Sequence, residues 1–472
     1  MSFSMFSSGS SNRPTRAGSG DARSFPFQRH RVHPNESTHF DQPRPRANGP
    51  STEATFRNES GSLSSGRDRL PAGRNAEIPF GATSGVDPQI RQPVRRSASG
   101  YAETSESESR LDIGTDIVQS IQNGEHWVKD FIKGRDTIID TRHNKDVERI
   151  KITIIDTGLD RTHPFIVRRQ WQEFRQTGNK SVALFKDFTT ENPSAEAIDD
   201  EGHGTFIAGI VLQLAPFVEL SIARVGITQV SLMDDPYAEE KVTAAINHAI
   251  DVWDADIIST SIALPRIKTS AFREAVSRAT WKNKIICASG GNFGGSRANV
   301  AFPARLLGVF KIFASDHHGN NCAFTPRPGL DADFCFSILG QDVVSIWPEA
   351  LYRKDTGLTV VDKRSSKKHP GLWVAMSGSS YATPIVASIV ALLYHFYDAN
   401  YFEMDLGPGL EFKTIEAIRA ILLKMSMAPS VGQHNYLNPW VGRDNYFNFR
   451  GEEDGVAFFT QMLRHCLNAW NK

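Results

Sequence analysis

From Ile150 onward, short β-branched runs alternate with longer segments of helical period, whereas the first hundred residues carry neither pattern. The run RIKITIIDTG reads as a buried parallel strand that ends in a Gly turn and delivers an Asp to its carboxyl edge. SVALFKDF, VELSIARV, ADIISTSIA, KIICASGGN, GVFKIFASD and DVVSIW are the further strand candidates, with AEEKVTAAINHAIDVW and TSAFREAVSRATWKN among the helical stretches between them. This alternation predicts an α/β fold, a mostly parallel twisted β-sheet with helices on both faces, in which functional groups gather beyond the carboxyl ends of the strands. After Ser377, ATPIVASIVALLYHFY and TIEAIRAILLKMSM read as core helices of the same domain.

Three flanking segments differ. Residues 1–108 are rich in Ser, Gly, Pro, Arg and Asn and poor in aliphatic side chains, so a disordered tail is expected there. Residues 109–148 form a helical linker expected to pack on the main domain as two short helices. Ile113, Ile117, Ile121, Trp127, Val128, Phe131 and Ile132 fall at roughly helical spacing, and Asn123-Gly124 interrupts them. Residues 149–428 form the main domain. Residues 429–472 form a C-terminal extension whose Trp440, Phe458, Phe459 and Trp470 either pack onto that domain or face a partner.

Composition adds boundaries. The chain of 472 residues balances 53 basic against 53 acidic side chains, which gives no reason to expect a nucleic-acid or membrane partner. The first hundred residues nevertheless hold 14 Arg, no Lys and 8 acidic residues, so the chain is basic in front and acidic behind. Four cysteines, Cys287, Cys322, Cys335 and Cys466, are too few for a disulfide scaffold and match no Cys-x-x-Cys metal spacing. The start has no secretory h-region, and no run approaches the ~18 apolar residues that span a bilayer. A soluble chain in the reducing cytoplasm is the expectation.

Candidate chemistry sits at strand-to-helix junctions. Asp156, in Ile154-Ile155-Asp156-Thr157-Gly158 with His163-Pro164 just downstream, could accept a hydrogen bond from an imidazole or cap the next helix. His203, in Gly202-His203-Gly204-Thr205, opens an apolar helix with a small-residue face. Ser380, in Gly378-Ser379-Ser380-Tyr381-Ala382-Thr383-Pro384, starts a buried helix whose free N–H groups favour developing negative charge. Ser377 and Ser379 are its neighbours and competitors, and a serine there also serves as a cap. Asn292, in the Gly-rich loop Ala288 to Gly294, offers an amide to an oxyanion or simply makes a turn.

Taken in order, Asp156, His203, Asn292 and Ser380 with their surroundings resemble the subtilisin-like serine proteases, the subtilase family. The DTG run, the HGT run and the Gly-x-Ser-x-Ala-x-Pro run match the family's three signatures. Thr260 to Ala263 resembles its substrate-binding strand, Phe302 to Arg305 its Pro-Ala segment, and Gly340 to Pro348 the strand bordering its primary pocket. The resemblance implies a serine endopeptidase with Asp156, His203 and Ser380 as the triad and Asn292 as oxyanion donor. It also implies a protein or peptide substrate lying along Ser261, Ile262, Ala263, Ser289, Gly290 and Gly291. Gly290 and Gly291 leave room for a large apolar substrate residue.

No cofactor is implied; calcium occurs among members, but no diagnostic ligand run is present. Neither pair reads as a metal site: the adjacent His317 and His318 cannot easily both face one ion, and Asp199-Asp200 reads as a polar loop. Ser379 and Tyr381 stand where the family commonly has Thr and Met, and Ala263 stands where it usually has Gly. The tail lacks the composition of a folded propeptide, so restraint falls to a regulatory protein partner, a covering segment or selective cleavage, with residues 109–148 and the C-terminal extension as candidates. Two rivals stand beside this reading. One is a catalytically silent pseudoprotease used as a binding or signalling module. The other is an aspartic protease built on Asp156 and the second Asp355-Thr356-Gly357, which is disfavoured because Tyr352-Arg353-Lys354 precede that copy in place of an apolar strand.

Overall fold

A parallel sheet organises the chain. The computed structural model describes residues 108–139, 147–178, 181–190, 197–294, 300–327, 334–353, 358–361, 370–404, 411–427, 434–438 and 452–470, all within one unit, Ala98–Lys472. The expected tail up to residue 107, Asp355 of the second Asp-Thr-Gly and Trp440 lie outside the described residues.

The order begins with helix α1 (Glu108–Ile138), β1 (Lys151–Asp156), α2 (Pro164–Thr177), β2 (Val182–Asp187), α3 (His203–Leu214) and β3 (Glu219–Arg224). It continues through α4 (Gln229–Asp234), α5 (Ala238–Asp251), β4 (Ile257–Thr260), α6 (Ser270–Trp281), β5 (Ile285–Ser289), β6 (Phe310–Ser315) and β7 (Cys335–Leu339). Next come β8 (Val343–Ile346), β9 (Thr359–Val361), β10 (Trp373–Met376), α7 (Ser379–Ala399) and α8 (Tyr401–Met404). Helix α9 (Ile415–Lys424), β11 (Ser426–Met427), β12 (Asn435–Leu437) and α10 (Glu452–Trp470) complete it.

Nine strands form one sheet in the order β11-β12-β7-β6-β5-β4-β1-β3-β2. Every pairing in it is parallel except β11 with β12. Period-two alternation sends side chains to opposite faces. On β1, Ile152 and Ile154 join the core shared with α3 and α7, while Ile155 joins the core beneath α5 and α6. The fold is therefore α/β, a mostly parallel sheet covered on both faces.

Two expectations change. DVVSIW forms β8, but β8 pairs antiparallel with β10 in a separate three-stranded sheet, β8-β10-β9. The main-sheet strand at that place is Cys335–Leu339, which pairs parallel with β6.

The segment expected as two short helices is one helix, α1, of 31 residues. Gly124 does not break it because the glycine answers to packing: a Cβ there would lie 3.3 Å from the Asp342 carbonyl oxygen. Ile121, Trp127 and Phe131 of α1 are buried in the main core, and Trp127 stacks on Phe131.

In the C-terminal extension, Phe459, Leu463 and Leu467 of α10 are fully buried, and Phe459 packs edge-on against Phe396 of α7. Helix α7 is long and apolar enough to cross a membrane by composition, yet its residues Ser379 to Phe396 are all buried inside the protein. Its hydropathy is that of a core helix threaded between the sheet and α3.

Candidate active site

The site forms where β1, β4 and β5 end and α3 and α7 begin. Strand β1 lies between β3 and β4 in the sheet, so Asp156, its last residue, arrives at the carboxyl edge already buried. Helix α3 can approach it because Gly204 has no side chain; a Cβ at 204 would stand 2.2 Å from the Gly158 carbonyl oxygen. That close approach sets His203 Nδ1 2.7 Å from Asp156 Oδ1.

The pair is buttressed. Asp156 Oδ1 also accepts the Thr157 N–H at 2.8 Å, and Thr157 Oγ1 accepts the Gly204 N–H at 3.0 Å while donating to Asp199 Oδ1 at 2.9 Å. Asp199 in turn accepts from the N–H groups of Gly202 and Thr205, each at 2.8 Å, and from Thr205 Oγ1 at 2.6 Å. A carboxylate thus caps the first turn of α3, where free N–H groups collect.

Asp199 is consequently a buried organiser of the site and not a polar surface loop. Asp200 is tied to Arg224, which also pairs with Asp187 at 3.1 Å. The signal that could have found Asp199 is a capping carboxylate a few residues ahead of an apolar helix. Among the described residues no cluster of His, Cys, Asp and Glu could hold a metal ion. His317 and His318 lean on each other instead, with ring centroids 3.8 Å apart.

Electrostatics favour a protonatable base. Burial alone would lower the pKa of His203, but the Asp156 carboxylate and its hydrogen bond, with Glu201 and Asp199 beyond, outweigh burial and raise it above the ordinary imidazole value. Glu201, missed in the sequence, is pushed up to about 7, chiefly by burial. It accepts the Gln229 N–H at 2.9 Å, and the Gln229 side-chain amide closes to 3.2 Å of His203 Nδ1. Tyr381 leans its ring on His203, with centroids 5.4 Å apart, and on Phe206 at 4.6 Å. That buried ring fills the space beside the imidazole.

The nucleophile candidate lies at the other end. Ser380 is the second residue of α7, behind Gly378, and is buried. Its hydroxyl donates to the Ser261 carbonyl oxygen at 3.2 Å, and Ser261 Oγ donates back to the Ser380 carbonyl oxygen at 2.8 Å. No hydrogen bond joins it to His203 among the described residues.

Asn292 is brought to the same turn. Its Oδ1 accepts from the Ser379 N–H at 2.8 Å and from Ser379 Oγ at 2.9 Å, which turns the amide nitrogen outward beside Gly378. The single Ser379 hydroxyl proton is shared between that Oδ1 and the Gly291 carbonyl oxygen, which lies 2.8 Å from Ser379 Oγ. The sequence marks Ser379 as a competitor for the nucleophile; the structure gives it the task of holding Asn292.

The remaining expected residues line the approach. Ile262 and Ala263 leave β4 buried, and Leu264 exchanges two backbone hydrogen bonds with Phe302 at 3.0 and 2.8 Å, which docks the Pro-Ala segment beside them. Ser289 ends β5. Gly290 does not open a cavity on its own side: a Cβ there would lie 2.2 Å from the Phe313 ring, so the glycine admits Phe313 rather than a substrate residue. Gly291 follows with φ +94°, and a Cβ there would press on Phe293 at 3.2 Å.

An Asp-bonded imidazole, a serine at a helix N-terminus and an amide beside it at strand ends are the groups that a hydrolase with a serine nucleophile requires. Residues 148–438 match the subtilase family (peptidase S8), which shows that the chain belongs to that family, the subtilisin-like serine proteases. It is similar to the subtilisin-like protease het-Q2 of Podospora anserina, 28% identical over 282 residues that cover 52% of this chain and 69% of that protein. It is also similar to the subtilisin of Bacillus sp. (strain TA39), 25% identical over 57% of this chain and 61% of that one. The structure of the self-cleaved protease domain of PatA overlaps 67% of this chain and 97% of that domain at 20% identity, with a TM-score of 0.45.

Proposed function

We propose that the chain is a serine endopeptidase in which Ser380 attacks the peptide carbonyl, His203 takes its proton, and Asp156 holds the imidazole. A serine hydroxyl is a weak nucleophile near neutral pH, so a base within reach of the oxygen is required. The observation that carries this reading is the buried 2.7 Å contact between His203 Nδ1 and Asp156 Oδ1. A carboxylate at that distance favours the proton on Nδ1, which would leave Nε2 to act as the base.

As the carbonyl turns tetrahedral its oxygen gains charge. The Asn292 amide and the Ser380 N–H at the start of α7 would bind that charge more strongly than the neutral substrate. The acyl-enzyme is then hydrolysed by water with His203 again as base, after it has returned its first proton to the leaving amine.

Substrate would lie extended beside Ser261, Ile262 and Ala263 and beside Ser289 to Gly291, pairing through its main chain as an added strand. An incoming N–H would compete for the Ser261 carbonyl oxygen and release the Ser380 hydroxyl toward His203. The four buried free thiols fit a reducing, cytoplasmic setting.

One observation favours the silent-module reading, namely the donation of Ser380 Oγ to Ser261 rather than to His203. A fluorophosphonate probe separates the two. The native chain takes up label at Ser380 and Ser380→Ala takes up none if the protease reading holds; equal labelling refutes the nucleophile, and a folded native chain that stays unlabelled supports the silent module.

A further inference from the structure

We infer that α1 is a positioning element for the nucleophile turn, acting through Ser120, Asp342 and Ser377; this rests on Ser380 being the nucleophile. Helix α1 precedes the residues matched to the subtilase family. At its far end Arg135 donates to the Gln213 and Leu214 carbonyl oxygens at the end of α3, at 2.8 and 2.9 Å, while Ser120 makes its polar contact with the turn that leads to Ser380.

Asp342 occupies the turn between β7 and β8 with φ +49°, a left-handed conformation that Asp tolerates better than most residues. Its carboxylate accepts Ser120 Oγ on Oδ2 at 2.6 Å and Ser377 Oγ on Oδ1 at 3.1 Å. Its own N–H donates to Ser377 Oγ at 2.8 Å. Next to it, Gly378 N–H donates to the Gly340 carbonyl oxygen at 2.8 Å, and Gln341 Nε2 donates to Ser120 Oγ at 3.3 Å.

The two turns, 340–342 and 377–378, are therefore strapped together immediately before Ser379 and Ser380. Helix α1 closes the strap from outside, with Gly124 allowing its backbone to come down onto Asp342. Burial of Ile121, Trp127 and Phe131 holds the helix in that place.

The geometry has a chemical consequence. Ser379 holds Asn292, Ser380 supplies the hydroxyl, and both hang from a turn whose preceding residue, Ser377, has its hydroxyl bonded on both sides by Asp342. Loss of the Ser120 hydroxyl leaves one carboxylate oxygen of Asp342 free to turn toward water and loosens Ser377 with it. The rate of attack falls, because small displacements of a positioned nucleophile are costly, while the substrate strand is untouched.

The test uses the full chain with Ser120→Ala, with Ser120→Thr as rescue and Asp342→Asn as a second variant that keeps a residue tolerant of the left-handed backbone. Ser120→Ala is expected to slow fluorophosphonate acylation about fivefold, the order expected from one lost hydrogen bond, at unchanged KM for a peptide substrate and with the melting temperature lowered by roughly 2 °C or less. Amide exchange in peptides covering 340–342 and 377–379 rises by a similar factor, peptides from β4 and β5 do not change, and Ser120→Thr restores both readouts. Unchanged exchange in Ser120→Ala overturns the inference, as does raised exchange with unchanged acylation. A native chain that takes up no probe defeats the protease reading instead, and the exchange comparison then still decides whether α1 holds the turn.

Discussion

The two ends of the site are built differently. At the Asp156 and His203 end the polar groups are densely linked: Asp156 Oδ1, Thr157, Asp199, Gly202, Gly204 and Thr205 form one set of hydrogen bonds around the first turn of α3. At the Ser380 end the backbone is strapped, but the reacting hydroxyl itself is lent to the Ser261 carbonyl oxygen. In the proposed mechanism the base is thus pre-oriented, while the nucleophile waits on a bond that an extended substrate would displace. Such a division keeps the costly part of the geometry, a buried carboxylate beside an imidazole, prepaid in folding. The single rotatable hydroxyl is left to respond to substrate.

Breaking the rigid end should cost most. Asp156→Asn keeps the shape but lets the imidazole take the wrong tautomer, and kcat is expected to fall on the order of 10⁴-fold in a peptide hydrolysis assay with KM nearly unchanged. A drop below tenfold would show that His203 does not depend on that carboxylate.

At the other end, Asn292→Ala should lower kcat by ~10²–10³-fold, a range that comes from a relative in this same family. Ser379→Ala should lower it by less, about tenfold, because the Ser379 N–H still holds the amide after its hydroxyl is gone. Ser379→Thr should recover the loss. If Ser379→Ala costs as much as Asn292→Ala, the hydroxyl and not the backbone orients the amide.

The smallest effect is a displaced pH profile. His203 must be neutral to act as base, and its pKa is raised, so kcat/KM should rise with pH through a limb above the ordinary imidazole value. Glu201 titrates near 7 and, once ionised, stabilises the imidazolium. Removing that charge in Glu201→Gln lowers the His203 pKa, so the acid limb moves to lower pH while activity persists. An unmoved limb would mean that Asp156 alone sets the base.

Much of the fold was legible because its signals are local. β-Branched runs such as KITIID and apolar helical stretches such as ATPIVASIVALLYHFY carry their own period, and the glycines of the HGT and Gly-Ser-Ser runs mark where chains must pass close. DVVSIW shows the limit, since its pattern proves a strand but does not say which sheet it joins. The pairing depends on β9 and β10, the latter 30 residues further on.

Residue order alone therefore determined the subtilase family and the α/β layering, and it singled out Asp156, His203, Asn292 and Ser380 as the candidate groups. Only the tertiary structure decided that Asp199 caps α3, that Ser379 holds Asn292, that Phe313 occupies the space beside Gly290, and that α1 is one helix seated on Asp342. The reason is physical. Propensity and periodicity act over a few neighbouring residues, whereas a carboxylate's partners and a glycine's missing side chain are chosen by whatever distant segment packs against them.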